Sequence, residues 1–385
     1  VSEDALPDRV RAVVLGAGPG GLAAAAELTR AGVETLVLDK ADRVGSSWAS
    51  HYDRLHLHTA RSLSHLPGYP IPRRFGRWVA RDDVLRYLAD YAAHHRLDVR
   101  LGVTATEVER GSDGWVVEWS RGDGSGRLAA EVVVVATGYN HTPKLPDWPG
   151  RDSYRGKLLH SSAYRNPADL DARDVLVVGP GNSGAEIAAD LAEAGVAVSL
   201  AMRTPPNIVL RSVAGIPTTG LVIAMSPLPE PAQDALARVL QRIVVGDLRR
   251  YGIPKAPRGI ISQLRRDDVT PTIDVGLLKA LRAGTVKIVP AVASFTEDSV
   301  VLADGSEVRP DAVVVATGFE RGLEGLVGDL GVLARTGRPL VNGDAQLAAH
   351  PGLFFLGYSN PITGNLRQLG IDARKIARKV AGAPG

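Results

Sequence analysis

Residues 179–192 read GPGNSGAEIAADLA, directly after the apolar run Val175-Leu176-Val177-Val178. Glycines at 179, 181 and 184 give the GxGxxG spacing of a dinucleotide-binding turn. A second such turn stands near the start of the chain, Gly16-Ala17-Gly18-Pro19-Gly20-Gly21, after Val13-Val14-Leu15. In turns of this kind the first Gly makes the sharp bend and the second lets backbone approach a pyrophosphate. The third lets the helix pack closely on the strand, with the phosphate at the helix N-terminus. Each turn follows a predicted strand, opens a predicted helix and leads to a second strand, which is the context the motif needs.

The ends of the second strands separate the two units. The first ends Leu38-Asp39-Lys40, 23 positions after Gly16, where a carboxylate can accept hydrogen bonds from a ribose diol. The second ends Ala201-Met202-Arg203, 24 positions after Gly179, with no carboxylate. A guanidinium there suits a 2′-phosphate, which a carboxylate would repel. The first turn therefore suits FAD or NAD and the second NADP. One chain holding FAD and NADPH is a flavin-dependent oxidoreductase, its two nucleotides expected to meet where the domains face each other.

The 385 residues carry a net charge of only +3 and contain no zinc spacing, Lys/Arg block or RNA-binding aromatic motif, so no nucleic-acid partner is expected. The longest uncharged stretch, 212–229, is interrupted by Pro217, Pro227, Pro229 and two glycines. It reads as a buried turn-and-helix segment, not a membrane span. No signal-like segment opens the sequence, and a cytoplasmic location is the default expectation. There is no cysteine, which excludes disulfides, thiolate metal sites and a catalytic disulfide. Reduced flavin must then pass its electrons to O2, to a small acceptor such as a quinone, or to a protein such as a ferredoxin.

Along the chain, the pattern predicts a strand near 10–15, a helix near 19–31 and a strand over 35–38. A helix over 82–96 with Asp82 or Asp83 near its cap follows, then a β-meander over 99–136 with breaks at 111–114 and 122–126. A second βαβ unit spans 174–203. It is followed by a Pro/Gly-rich excursion (204–229), a helix (231–245) and a Gly/Pro/Arg-rich loop (246–269). Short strands resume near 285, with another at 352–357 and a last helix at 365–380. Ala-Thr-Gly occurs twice, at 136–138 and 316–318, each time after a run of valines. The expected fold class is α/β: two dinucleotide-binding, Rossmann-like domains, with the NADP domain (166–284) inserted into an FAD domain made of 1–165 and 285–385.

Residues 154–166, YRGKLLHSSAYRN, resemble the FxGxxxHxxx(F/Y)(K/R) fingerprint of class B flavin-dependent monooxygenases through Gly156, His160, Tyr164 and Arg165, with Tyr154 in place of Phe. Tyr52-Asp53-Arg54-Leu55-His56-Leu57-His58 is similar to the segment after the flavin turn in the plant YUCCA-like branch. Arg43-Val44-Gly45-Ser46-Ser47-Trp48 resembles the family's flavin-contacting turn. Tyr251-Gly252-Ile253, 271–276 (PTIDVG) and 357–361 (GYSNP) also look YUCCA-like.

The resemblance implies that NADPH reduces FAD, that the reduced flavin takes up O2 as a C4a-(hydro)peroxide, and that NADP+ stays bound to shield it. A small organic substrate is then oxygenated. A 2-oxo acid losing CO2 fits the YUCCA resemblance, N-hydroxylation of an amine fits the wider family, and an electron-transfer reductase remains a third possibility. His58 aligns with a family position near the flavin edge and is the candidate catalytic side chain. Its nearness in sequence to His56 suggests a metal pair if both lie on one strand face, but no third ligand is apparent and no metal is expected. The final helix could aim its N-terminal dipole at the flavin pyrimidine. Besides the glycines and Pro19, the candidate cofactor contacts are Asp39, Lys40, Ser47, Trp48, His58, Ala105, Thr137, Gly138, His160, Ser161, Asn182, Ser183, Arg203, Thr204, Thr317, Gly318 and Asn365. The partners expected are the substrate and O2, with the oligomeric state open.

Overall fold

The computed structural model describes residues 5–267 and 269–382. The chain divides into two compact units. One holds the residues up to Ala49, Ala60–Thr142 and those from Phe319 on; the other holds Ser50–Thr59 and Pro143–Gly318.

The first unit is built on β1 (Arg9–Leu15), α1 (Pro19–Arg30) and β2 (Thr35–Asp39). Pro19 suits the first turn of α1, where its missing N–H costs nothing. Ala23–Ala26 are buried, and their small side chains let the helix lie close to the sheet. After α2 (Ser46–Ala49) and α3 (Arg81–His94) come β3 (Asp98–Leu101), β4 (Thr104–Gly111), β5 (Gly114–Arg121) and β6 (Gly124–Val135). The strand order is β3-β2-β1-β6-β5-β4, and the late strand Leu353–Phe355 also pairs with β6. β1 runs parallel to β2 and to the C-terminal half of β6, with Val13 opposite both Leu36 and Val133. The N-terminal half of β6 pairs antiparallel with β5, making the meander. β3 is not part of that meander as expected; it pairs parallel with β2. Asp82 and Asp83 stand in the first turn of α3, while Ala80 occupies the cap without a side-chain bond.

The second unit repeats this plan. Its sheet contains β7 (Lys157–His160), β8 (Asp174–Val178), β9 (Ala197–Ala201), β10 (Val286–Val289) and β11 (Ala312–Val315). The order is β10-β9-β8-β11-β7, all parallel. β8, α4 (Asn182–Glu193) and β9 correspond to β1, α1 and β2. β11 takes the place of β6, and a three-stranded antiparallel sheet (Val292–Phe295, Val300–Leu302, Glu307–Val308) precedes it as the meander precedes β6.

This pairing moves the expected domain boundaries from 165/166 and 284/285 to 142/143 and 318/319, because β7 and β11 complete the second sheet (Val313 opposite Leu158 and Leu176). Each unit thus owns one Ala-Thr-Gly turn. Within 212–229, α5 (Thr218–Met225) forms, but only Thr219 is buried, so the segment is not the buried one expected. α6 (Glu230–Val244) matches the predicted helix, and the loop after it contains a further helix, α7 (Ile260–Asp267). Among the described residues no helix is long and apolar enough to cross a membrane.

Candidate functional site

The two glycine turns have one geometry. Gly16 and Gly179 both have φ +109°, a conformation that L side chains avoid. A Cβ on Gly16 would lie 2.5 Å from Ala136 O, and one on Gly179 would lie 2.5 Å from Ala316 O. A Cβ on Gly21 or Gly184 would overlap the carbonyl oxygen of Gly16 or Gly179. By contrast, nothing lies within 4 Å of the Cβ positions of Gly18 and Gly181, the N-caps of α1 and α4, and neither cap has a side-chain bond. Each turn is therefore tight where it meets its own strand and helix, and open where a ligand would approach. Unfilled N–H groups at the start of a twelve-residue helix beside that space fit a pyrophosphate.

Around the first turn, Asp39 ends β2 and accepts from Ala17 N at 2.6 Å and Ala41 N at 2.8 Å. Lys40 Nζ lies 3.0 Å from His141 Nε2, and burial followed by the lysine charge holds that imidazole below its usual pKa. Ser47 and Trp48 lie on α2, whose start is tied to the turn by Gly45 N donating to Ala17 O. Ala105 is on β4, close after Val103, whose N–H bonds Asp39 O. Thr137 and Gly138 follow β6. Thr137 Oγ1 is 2.8 Å from the hydroxyl of Tyr358, a group that burial pushes up to about 12 and so keeps protonated. Gly20 packs on Leu369 of the closing helix Asn365–Gly382, which begins at the exposed Asn365.

Around the second turn, Arg203 and Thr204 are exposed just beyond β9. Asn182 is already engaged: its Oδ1 accepts from Ile273 N at 2.7 Å, stitching the strand Thr272–Asp274 to the turn. Ser183 bonds the hydroxyl of Tyr52. The buried His160 Nδ1 accepts from Ser162 N at 3.2 Å, so the proton sits on Nε2 and is donated to Gly318 O at 3.0 Å. Burial lowers the pKa of this imidazole. His160 and the neighbouring Ser161 thereby tie the end of β7 to the end of β11, where Thr317 Oγ1 donates to Lys144 O at 2.5 Å.

His58 is in a network that motif reading missed. Residues 53–59 are turns and an isolated bridge, so His56 and His58 do not share a strand face. His56 Nδ1 bonds Arg54 O, and His58 Nε2 lies 3.1 Å from Oε2 of the buried Glu186. Tyr52 donates to the same Glu186 oxygen at 2.9 Å; burial, then the Glu186 charge, drives its pKa far up and keeps it a donor. Arg54 bridges Asp190 at 3.2 Å and Glu193 at 3.0 Å, and Tyr164 OH donates to Asp190 at 2.7 Å. Glu186, Asp190 and Glu193 recur at steps of four and three, so one face of α4 presents three carboxylates. Arg165 donates to Ser50 O and Asn166 to Asp53 Oδ2 at 2.8 Å. The fingerprint segment and the 50–59 segment are thus bound to each other, and through Tyr164, Tyr52, Arg54 and His58 to the helix behind the second turn. The acidic spacing in GAEIAADLAE is visible in the sequence, but its partners lie more than 100 residues away. No group of three or more His, Cys, Asp or Glu that could hold a metal occurs among the described residues.

Residues 13–212 match a family model described as pyridine nucleotide-disulphide oxidoreductase. The chain is 34% identical over 373 residues to indole-3-pyruvate monooxygenase YUCCA1 of Oryza sativa subsp. japonica, covering 96% of this chain and 91% of that one. It is 30% identical to probable indole-3-pyruvate monooxygenase YUCCA3 of Arabidopsis thaliana, covering 96% and 86%. Among solved structures, the flavin-containing monooxygenase from Stenotrophomonas maltophilia matches with a TM-score of 0.73 at 28% identity, covering 97% of this chain and 98% of that one. Cyclohexanone monooxygenase, at 20% identity and a TM-score of 0.72 over 97% of this chain and 87% of that one, shares the fold. With no cysteine, this chain cannot use the disulfide chemistry in the family model's description. The chain belongs to the flavin-dependent monooxygenases of the YUCCA-like type, enzymes that work with FAD and NADPH.

Proposed function

We propose that this monooxygenase acts on a 2-oxo acid, converting it to the carboxylic acid one carbon shorter with release of CO2. The observation that carries this reading is the match to indole-3-pyruvate monooxygenase YUCCA1 over 91% of that protein's length, whose named substrate is a 2-oxo acid. The balance is one 2-oxo acid, one O2, one NADPH and one proton giving the shortened acid, CO2, NADP+ and water. The electron pair comes from NADPH, and one oxygen atom of O2 enters the new carboxyl group.

In this reading, Gly16–Gly21 and the N-terminus of α1 hold the FAD pyrophosphate, with Asp39 at the ribose. Gly179–Gly184 and the N-terminus of α4 hold NADPH, with Arg203 and Thr204 at its 2′-phosphate. FAD, when bound, supplies hydride acceptance and O2 activation. His58 holds a proton for the oxygen-transfer step, with Nε2 anchored by Glu186. The chain's own contribution is binding, orientation and exclusion of water, which accounts for the scarcity of acid and base side chains around the turns.

The test uses purified, FAD-loaded enzyme with NADPH, an oxygen electrode and product mass, against aromatic and aliphatic 2-oxo acids and primary amines. NADPH-driven O2 uptake with a shortened acid and CO2 is the expected result. An amine gaining one oxygen atom while 2-oxo acids go untouched would overturn the substrate class.

A further inference from the structure

α6 is turned inside out. Its inward side carries Gln233 and Asp234, both buried, and Gln241. Gln233 Nε2 donates to Leu228 O at 2.6 Å and Gln241 Nε2 to Ile208 O at 2.9 Å. Asp234 accepts from Ile261 N at 2.7 Å and Ser262 N at 3.3 Å, capping α7. These bonds satisfy loop and helix-end backbone, and together they set the rotation of α6 about its axis. The opposite side, facing solvent, is Ala232, Ala235, Leu236, Val239 and Ile243, at three- and four-residue steps. Leu236 is 41% exposed, Val239 55% and Ile243 74%. A surface helix ordinarily turns such a stripe to the core.

Charge distinguishes the possible occupants of this stripe. Residues 230–268 contain eight Lys/Arg and five Asp/Glu; the whole chain contains 45 and 42. The net charge of +3 is therefore carried by this segment, and the rest of the sequence balances. Arg238 and Arg242 are exposed one helical row from the stripe. Arg265 and Arg266 of α7 reach Glu230 at the N-terminal end of α6, at 3.2 and 3.7 Å. A second copy of the same face would bring two cationic surfaces together. An anionic bilayer supplies both complements, phosphates for the arginines and acyl chains for Leu236, Val239 and Ile243. Fifteen residues rise about 22 Å, short of the roughly 30 Å hydrocarbon core, so such a helix lies in the interface.

We propose that α6 docks this protein onto a membrane surface rich in anionic lipid, through Leu236, Val239 and Ile243 with Arg238 and Arg242 at the headgroups. The full-length holoenzyme is floated with vesicles of phosphatidylcholine alone or with one-third phosphatidylglycerol. Binding to the anionic vesicles is expected, at least about fivefold above the neutral ones and weakened by salt. Val239→Glu with Ile243→Glu should abolish it at unchanged flavin content and melting temperature, and Arg238→Glu with Arg242→Glu should reduce it. The proposal is overturned if the holoenzyme does not bind these vesicles, or if the Val239→Glu, Ile243→Glu variant binds as well as the parent. It is equally overturned if light scattering shows a dimer that this variant dissolves while vesicles capture neither protein.

Discussion

Arg203 and Asp39 stand just after or at the end of equivalent strands in two copies of one plan, with opposite charge. Asp39 is bonded to Ala17 N and Ala41 N, so its carboxylate shapes the first turn as well as offering oxygens to a ribose. Arg203 has no comparable task in the turn that it follows, which makes it a clean site to test. Arg203→Ala should weaken NADPH binding by roughly 1–3 kcal/mol, the worth of a charge-assisted contact, and leave NADH nearly unchanged. Equal losses in titrations with both nucleotides would remove Arg203 from the 2′-phosphate.

His160 allows a pH argument. Its Nδ1 accepts the Ser162 N–H, so a proton there would break that bond, and burial also opposes the charge. The folded-state pKa therefore lies below the unfolded value of 6.5. Between the two values the unfolded chain binds more protons, so stability is full above about pH 6.5 and falls as the pH drops below it. His160→Gln should be less stable at pH 8 and show a shallower fall between pH 7 and 5. Thermal melts across that range would check it, and parallel curves for the two proteins would contradict it.

At the scale of elements, the third glycine of each turn can be tested independently. A Cβ at residue 184 would overlap Gly179 O, so Gly184→Ala must displace α4 from β8. The expected outcome is normal flavin absorbance with reduction by NADPH slowed at least about tenfold, since only the second turn is disturbed. Stopped-flow reduction under nitrogen would measure it, and an unchanged rate would show that this turn does not carry NADPH.

Both βαβ units were readable because their signals are local: an apolar run, a glycine spacing and a helical period within 30 residues. α7 was not readable, because its N-terminus is capped by Asp234 from a different helix. The boundaries moved for a similar reason. A run such as Ala312–Val315 announces a buried strand but not which sheet it joins, and register with β8 is a choice made between segments far apart. The site divides along the same line. The turns, Asp39 and Arg203 follow from spacing, whereas the bonds from Tyr52 and His58 to Glu186 depend on a chain separation of more than 120 residues.

At the scale of the whole molecule, two units share one strand order and one turn geometry, and the chain passes between them four times. The ten residues 50–59 form the shorter excursion, fastened to α4 by Arg54, Tyr52 and His58. The longer one begins and ends side by side. His141 N donates to Glu320 O at 3.2 Å within the first unit, and Lys144 N to Gly318 O at 3.0 Å within the second.

That neck bears on how the chain acquires its fold. Completing the first sheet requires Leu353 to find Val133 across an intervening stretch of more than 200 residues, an expensive closure for a random coil. Once 143–318 has collapsed around its own five parallel strands, residues 142 and 319 are neighbours, and the distant pairing becomes nearly local. The later unit in the reading order is thus the natural kinetic leader, and the N-terminal sheet waits for a partner strand that the ribosome delivers last.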